Sequence, residues 1–132
     1  MLVVDDDPAV REVISEILDC AGFEVTATAG VQDGLGAMGR RSPDLVVTDF
    51  SLPDGTGRDI LEGAMELPGR PPVIVMSGSI EVSAVPELLS AGAVSVLEKP
   101  FALLDLLAAV QAAAMQRSAT QALPRRRVAA WT

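Results

Sequence analysis

Residues Asp44–Gly57 read Asp-Leu-Val-Val-Thr-Asp-Phe-Ser-Leu-Pro-Asp-Gly-Thr-Gly. This stretch is the most informative one about the fold. The short apolar run Leu45–Val47 predicts a buried strand. Asp49 follows at its C-terminal end, and the proline and glycines beyond it predict a loop. The stretch therefore predicts a strand with a carboxylate at its tip, although a lone aspartate there is as often a helix cap or a loop residue.

Other apolar runs in the chain also end in polar or charged residues. One run, Phe23–Thr28, alternates between apolar and polar residues, which is typical of a strand near a sheet edge. The other predicted strands and the residues that follow them are Met1–Val4 before Asp5-Asp6-Asp7, Val73–Met76 before Ser77-Gly78, and Val94–Leu97 before Glu98-Lys99-Pro100.

Helical patterns separate these strands. Asp7 and Pro8 are a good N-cap and first residue for a helix that Gly22 ends. The remaining predicted helices are Val31–Arg41, Gly57–Glu66, Pro86–Ala91 and Leu103–Met115, the last with an apolar stripe through Leu104, Leu107, Ala108 and Met115. Five strands alternating with five helices predict an α/β fold, a parallel sheet with helices on both faces.

Composition excludes several classes of protein. The 132 residues include no histidine, which argues against Ser-His-Asp hydrolases and zinc sites with histidine ligands. The single cysteine, Cys20, falls in an apolar helical pattern and is expected to be buried. A net charge of -8 argues against direct binding of nucleic acid. No apolar run approaches the length of a membrane span, so we expect a cytoplasmic protein without a membrane partner.

Glycines 34, 36 and 39 match the G-x-G-x-x-G fingerprint of dinucleotide-binding proteins. That site needs a strand immediately before the glycines and the start of a helix within them. Here the glycines fall in the middle of a predicted helix, so we do not expect a nucleotide site. They should instead make this helix the least stable in the domain, because each glycine costs about 1 kcal/mol relative to alanine.

The carboxyl ends of parallel strands meet at one edge of a sheet, so Asp5, Asp6, Asp49, Ser77 and Lys99 are expected to converge. Crowded carboxylates raise each other's pKa unless a cation neutralises them. Oxygen-only ligands without sulfur or imidazole favour Mg²⁺. With Mg²⁺ bound, an aspartate can attack phosphorus while Lys99 and Ser77 bind the remaining phosphoryl oxygens.

The chain resembles the receiver domains of two-component response regulators over Met1–Gln116. The resemblance rests on the order and spacing of Val-Val-Asp-Asp-Asp-Pro, the Asp44–Gly57 stretch, Met-Ser-Gly and Glu-Lys-Pro-Phe. It implies a flavodoxin-like sheet with strand order 2-1-3-4-5. It also implies signalling by phosphorylation and a conformational change, with no catalysis beyond the domain's own phosphorylation and dephosphorylation.

The resemblance also implies roles for individual residues. Asp49 would accept a phosphoryl group from a histidine kinase or phosphotransfer protein. Asp6, Asp49 and the carbonyl of Ser51 would bind Mg²⁺ directly, whereas Asp5 would act mostly through metal-bound water. Ser77 would be the switch hydroxyl and Lys99 the phosphoryl partner, with a cis Lys99–Pro100 bond. A second copy of the chain, paired through the last strand and helices, is a further expected partner.

Two features depart from the family pattern. Receivers commonly carry an aromatic residue three positions before the lysine of the last strand, but this chain has Val96 there and no tyrosine at all. We therefore expect the response to phosphorylation in residues 78–91. Residues 117–132 are too few for an output domain and are expected to be a disordered tail or linker.

Two alternative functions remain open from the sequence. Asp5-x-Asp7 after an apolar strand also suits a haloacid-dehalogenase-like phosphohydrolase with Asp5 as its nucleophile, although such enzymes are longer and would not use Asp49. A pseudo-receiver would bind partners without being phosphorylated, although this chain keeps every acidic ligand.

Overall fold

The main sheet has five parallel strands, and β1 (Leu2–Val4) lies between β2 (Thr26–Thr28) and β3 (Val46–Asp49), followed by β6 (Val73–Ser77) and β7 (Ser95–Glu98). A computed structural model describes residues 1–78 and 84–116. Counted along the chain, the five strands of this sheet have the predicted order 2-1-3-4-5, which is flavodoxin-like.

A small antiparallel hairpin, which the sequence analysis did not predict, follows β3. Its strands are Ser51–Leu52 (β4) and Gly55–Thr56 (β5), with Ser51 opposite Thr56. The hairpin connects the carboxyl end of β3 to the next helix. The loop expected after Asp49 is therefore ordered by its own backbone pairing.

Helices lie on both faces of the sheet, as predicted. The third helix has the predicted bounds, and the others begin or end within one residue of them. The helices are Pro8–Cys20 (α1), Val31–Arg40 (α2), Gly57–Glu66 (α3), Val85–Ser90 (α4) and residues 103–116 (α5).

The two ends of α1 show why the sequence predicted it well. The Asp7 carboxylate accepts a hydrogen bond from the Ala9 N–H at 3.0 Å, so it caps the first turn. After the last turn, Gly22 has φ +97°, and the Phe23 N–H donates to the Leu18 carbonyl at 3.0 Å. This Schellman-type end needs the glycine because other residues rarely adopt positive φ. The Asp7 cap therefore fixes the start of α1 directly after Asp5 and Asp6.

Two apolar cores stabilise the sheet from opposite sides. Side chains of α2, α3 and α4 pack on one face, and those of α1 and α5 pack on the other. Adjacent residues of each central strand alternate between the cores, so Val46 belongs to the first and Val47 to the second. The sheet is therefore covered on both faces, and the polar residues that follow its strands lie at its carboxyl edge.

The predicted apolar stripe of α5 is wrong at Leu104, Ala108 and Met115, which are exposed, whereas Leu107 packs partly buried against the core. Leu106, Val110 and Ala113 are its buried residues, whereas Leu104 is 74% exposed and Met115 is 73% exposed. The helix is apolar almost all round, so helical spacing alone could not select the face that contacts the sheet.

Cys20 is also exposed rather than buried. It lies two residues beyond Leu18, which is fully buried, and two residues correspond to about 200° around a helix. Its side chain therefore faces away from the core that Leu18 enters.

Candidate functional site

The predicted site residues converge at the carboxyl edge of the sheet. Asp5 directly follows β1, Asp49 ends β3, Ser77 ends β6 and Lys99 directly follows β7. Backbone hydrogen bonds fix these ends against one another, because the Phe50 N–H donates to the Met76 carbonyl at 2.8 Å. The Lys99 N–H likewise donates to the Ser77 carbonyl at 2.7 Å.

Three carboxylates form a cluster that can hold a metal ion. Asp5, Asp6 and Asp49 each offer one oxygen, and these oxygens all lie within 4.8 Å of one another. Asp5 and Asp49 are buried, whereas Asp6 is exposed. An all-oxygen donor set that is open on one side fits Mg²⁺, which retains water ligands. The donor chemistry therefore matches the cation expected from the sequence.

Burial makes the charges of this cluster unfavourable in the absence of a cation. It raises the pKa of Asp5, and the nearby Asp49 carboxylate raises that pKa further, although the Asp7 N–H lowers it. Burial also raises the pKa of Asp49, while the hydrogen bond and charge of Lys99 act in the opposite direction. A cation bound between these side chains would favour their ionised forms.

Lys99 brings a positive charge to two carboxylates of the cluster. Its Nζ lies 3.1 Å from Asp49 Oδ2 and 3.8 Å from Asp5 Oδ2. The side chain is 33% exposed, so the ammonium contacts both the site and solvent. Its bond to Pro100 is cis, as the family resemblance implied.

Two buried oxygens at the site have no hydrogen-bond partner within residues 1–78 and 84–116. They are Ser77 Oγ and Asp5 Oδ2. Buried polar atoms are nearly always hydrogen-bonded, so an unsatisfied pair beside a functional cluster needs an explanation. An incoming anion with its cation would supply the missing partners for both atoms.

The backbone beside Asp49 is packed closely against the start of α3. The Gly57 N–H donates to the Phe50 carbonyl at 2.7 Å. A Cβ on Gly57 would lie 2.7 Å from the Asp49 carbonyl oxygen, so only glycine fits without a shift. Ser51 begins β4 two residues after Asp49, and the use of its carbonyl as a metal ligand stays a prediction.

Sequence reasoning missed two residues that contact this region. Arg11 Nη1 donates to the Asp5 carbonyl at 2.8 Å, whereas the spacing of Arg11 from Asp7 would have predicted a pair with the Asp7 side chain instead. Asp54, in the hairpin turn, binds backbone N–H groups at the start of α2. No local pattern predicts that contact, because its partners are more than twenty residues away in the chain.

Similarity to known proteins extends over most of the chain. Residues 1–111 match the family described as "Response regulator receiver domain". The KDP operon transcriptional regulatory protein KdpE of Escherichia coli (strain K12) is 35% identical over 122 residues, which are 92% of this chain and 54% of that protein. The transcriptional regulatory protein FixJ of Bradyrhizobium diazoefficiens is 35% identical over 114 residues, or 86% of this chain and 56% of that protein. The chain thus spans about half the length of these curated relatives.

Solved structures show the same similarity. A response regulator receiver domain protein from Clostridium thermocellum superposes with a TM-score of 0.83 and 28% identity, covering 89% of this chain and 94% of that one. The receiver domain of NtrX from Brucella abortus superposes with a TM-score of 0.80 and 28% identity, covering 86% of this chain and 97% of that one.

Among the described residues, none of the helices has the length and apolar character needed to span a membrane.

Proposed function

The chain belongs to the family of response regulator receiver domains, whose members accept a phosphoryl group on an aspartate, and we propose that Asp49 is the phosphoacceptor here. The observation that carries this proposal is the surroundings of Asp49. Its Oδ2 lies 3.1 Å from Lys99 Nζ, and its carboxylate shares a cluster with Asp5 and Asp6. This carboxylate therefore has a cation on one side and a candidate metal site on the other.

The transfer forms one bond and breaks one. An Asp49 oxygen attacks the donor's phosphorus as the P–N bond of a phosphohistidine breaks, and the electron pair of that bond returns to the imidazole nitrogen. Lys99 opposes the increase in pKa that burial causes at Asp49, so it helps to keep the nucleophile ionised. Ser77 Oγ would donate to one oxygen of the transferred group.

The residues that would hold Mg²⁺ are Asp5, Asp6, Asp49 and, through its carbonyl, Ser51. Bound there, the ion would neutralise charge on the phosphoryl oxygens and on the carboxylates. The unsatisfied Asp5 Oδ2 supports this assignment, because a metal-bound water would give it a hydrogen-bond donor.

Receiver domains of response regulators interact with histidine kinases, and the proposed donor to Asp49 is such a kinase or a phosphotransfer protein. Residues 1–116 would form the receiver domain and act in the cytoplasm without direct contact to nucleic acid. A homodimer would form through the last strand and helices. The expectation of a disordered tail or linker at 117–132 lies outside the described residues.

Phosphorylation mapping tests the proposal. The protein is incubated with Mg²⁺ and a small acyl phosphate, and the modified peptide is identified by mass spectrometry. We expect one phosphoryl group on Asp49, none in Asp49→Asn, and normal labelling in the control Asp7→Asn, whose carboxylate caps α1. A label on Asp5 would instead support a phosphohydrolase, and absence of both label and Mg²⁺ binding would support a pseudo-receiver.

A further inference from the structure

The N-terminus of α2 is capped by a residue from the loop that follows the phosphoacceptor. Gly30 occupies the N-cap position and has no side chain that could accept a hydrogen bond. Asp54 takes this role, because its Oδ1 accepts from the Val31 N–H at 2.7 Å and its Oδ2 from the Gln32 N–H at 2.9 Å. The bonds from Gln32 and Val31 hold the pKa of Asp54 below its usual range.

The turn of the hairpin packs tightly between α2 and α3. A Cβ on Gly30 would lie 2.7 Å from Asp54 Oδ1, so the capping contact depends on glycine at the N-cap. A Cβ on Gly55 would lie 2.9 Å from Val31 Cγ2 and 2.5 Å from Asp59 Oδ2. The tip of the hairpin is therefore held by α2 on one side and by α3 on the other.

The base of the hairpin is fixed equally firmly beside Asp49. The Gly57 N–H donates to the Phe50 carbonyl, and the Thr56 N–H donates to Asp59 Oδ2 at 3.0 Å as part of a capping box on α3. Residues 51–56 thus connect the candidate metal site to α2. The two hydrogen bonds of Asp54 are the polar attachment of the tip to α2 among the described residues.

We propose that Asp54 is a positioning residue for the metal site, which it affects by holding the hairpin and hence the Ser51 backbone at a fixed distance from Asp49. This inference rests on the proposed function, because it concerns the same Mg²⁺ site. Mg²⁺ demands nearly ideal octahedral geometry, so a small displacement of one ligand weakens binding. Removing residues that orient metal ligands typically costs about 10- to 100-fold in metal affinity.

A pair of variants separates this role from simple helix capping. Asp54→Ala removes both the cap of α2 and the attachment of the hairpin. In Gly30→Ser combined with Asp54→Ala, the serine supplies a local N-cap, since residue 30 has the extended backbone that N-cap residues adopt, with φ -160° and ψ -176°. The Asp54→Ala change also removes the oxygen with which the new Cβ would collide. The double variant therefore restores the cap and leaves the hairpin without its polar attachment to α2.

Two quantities are measured on the full chain: thermal stability without Mg²⁺, and the dissociation constant for Mg²⁺ by calorimetry. Titration at about 1 M ionic strength, where the Debye length is about 3 Å, suppresses the long-range effect of losing one negative charge. We expect Asp54→Ala to lower both stability and affinity. The double variant should regain stability and still bind Mg²⁺ about tenfold more weakly than wild type.

Wild-type Mg²⁺ affinity in the double variant would overturn the inference and show that Asp54 serves only as a cap. Unchanged Mg²⁺ affinity in the single variant Asp54→Ala would overturn it as well. If serine fails to restore thermal stability, Gly30→Asn combined with Asp54→Ala supplies asparagine, which is also a favoured N-cap residue. The Mg²⁺ affinity of that variant is then compared with wild type in the same way. Failure of the wild-type protein itself to bind Mg²⁺ would contradict the proposed function rather than the role of Asp54 within it.

Discussion

Asp5 carries a carboxyl group into almost completely buried surroundings. Its side chain is 1% exposed, and Oδ1 accepts from the Asp7 N–H at 2.9 Å. Oδ2 has no hydrogen bond in the described part of the chain and lies 3.8 Å from Lys99 Nζ. Because burial raises the pKa of this carboxyl, protonation of Asp5 contributes to the stability of the metal-free fold. That contribution is lost as pH rises through the raised pKa.

Asp5→Asn should therefore stabilise the metal-free protein at neutral pH by about 1 kcal/mol, the usual size of one unsatisfied buried polar group. The amide oxygen can still accept from the Asp7 N–H, and its NH₂ group can donate toward Asp49. Urea unfolding in the presence of a chelator measures the effect. Asp7→Asn is the matched control and should change stability by less than about 0.5 kcal/mol, because asparagine also caps helices well. A less stable Asp5→Asn protein would contradict this account of the buried charge.

At the scale of a single element, α2 contains three glycines whose surroundings differ. A Cβ on Gly34 would lie 2.8 Å from Ile60 Cδ1 and 3.2 Å from Val4 Cγ2, so this glycine lets α2 approach β1 and α3 closely. A Cβ on Gly39 would meet nothing within 4 Å. All three glycines lie inside the helix, which is inconsistent with a dinucleotide fingerprint. The lower stability of α2 relative to the other helices stays a prediction.

Alanine substitutions at these two positions should have opposite effects. Gly39→Ala should stabilise the protein by up to about 1 kcal/mol, because alanine has the higher helix propensity. Gly34→Ala should destabilise it by about 1–3 kcal/mol, because the added methyl group overpacks the core. Denaturant unfolding of the two variants provides the comparison. Stabilisation by Gly34→Ala would show that α2 can move away from the sheet at little cost.

At the scale of the whole molecule, the proposed phosphorylation of Asp49 would have to change a surface that a partner can contact. Val96 lies on β7 opposite Val75 and is partly buried against the core formed with α2, α3 and α4. Valine is stiff at χ1 and has no ring to rotate. By contrast, α4 has one buried side chain, Leu88, and no side-chain cap at Ala84. With few buried contacts, α4 is an element whose order can change at low cost.

A phosphoryl mimic should therefore change amide hydrogen exchange in residues 78–91, of which 79–83 lie outside the described residues, and leave Val96 almost unaffected. Beryllofluoride with Mg²⁺ is compared with Mg²⁺ alone, and peptides from residues 84–91 report on α4. Asp49→Asn under the same conditions is the control and should show no change. Protection changes confined to β7 and α5 would mean that the response takes another route.

The alternation of strands with helices and the convergence of the site residues were predictable from the sequence because they depend on local patterns, whereas the strand order followed from the resemblance to receiver domains. Short apolar runs that end in Asp5, Asp49, Ser77 and Lys99 predict parallel strands with polar tips, and parallel strands bring their tips to one edge. The structure confirms the sheet and places these residues together, while their individual roles stay predictions. Bounds were accurate where capping signals were strong, as at Asp7 on α1.

Only the tertiary structure decided which face of α5 is buried and what caps α2. An almost uniformly apolar helix has no periodic signal, so contacts with the sheet select Leu106 rather than Leu104. The capping of α2 by Asp54 joins residues 22 and 23 positions apart, and Gly30 matters because it leaves room for that carboxylate. Such contacts depend on how separate elements pack in space, and the order of residues along the chain does not encode them locally.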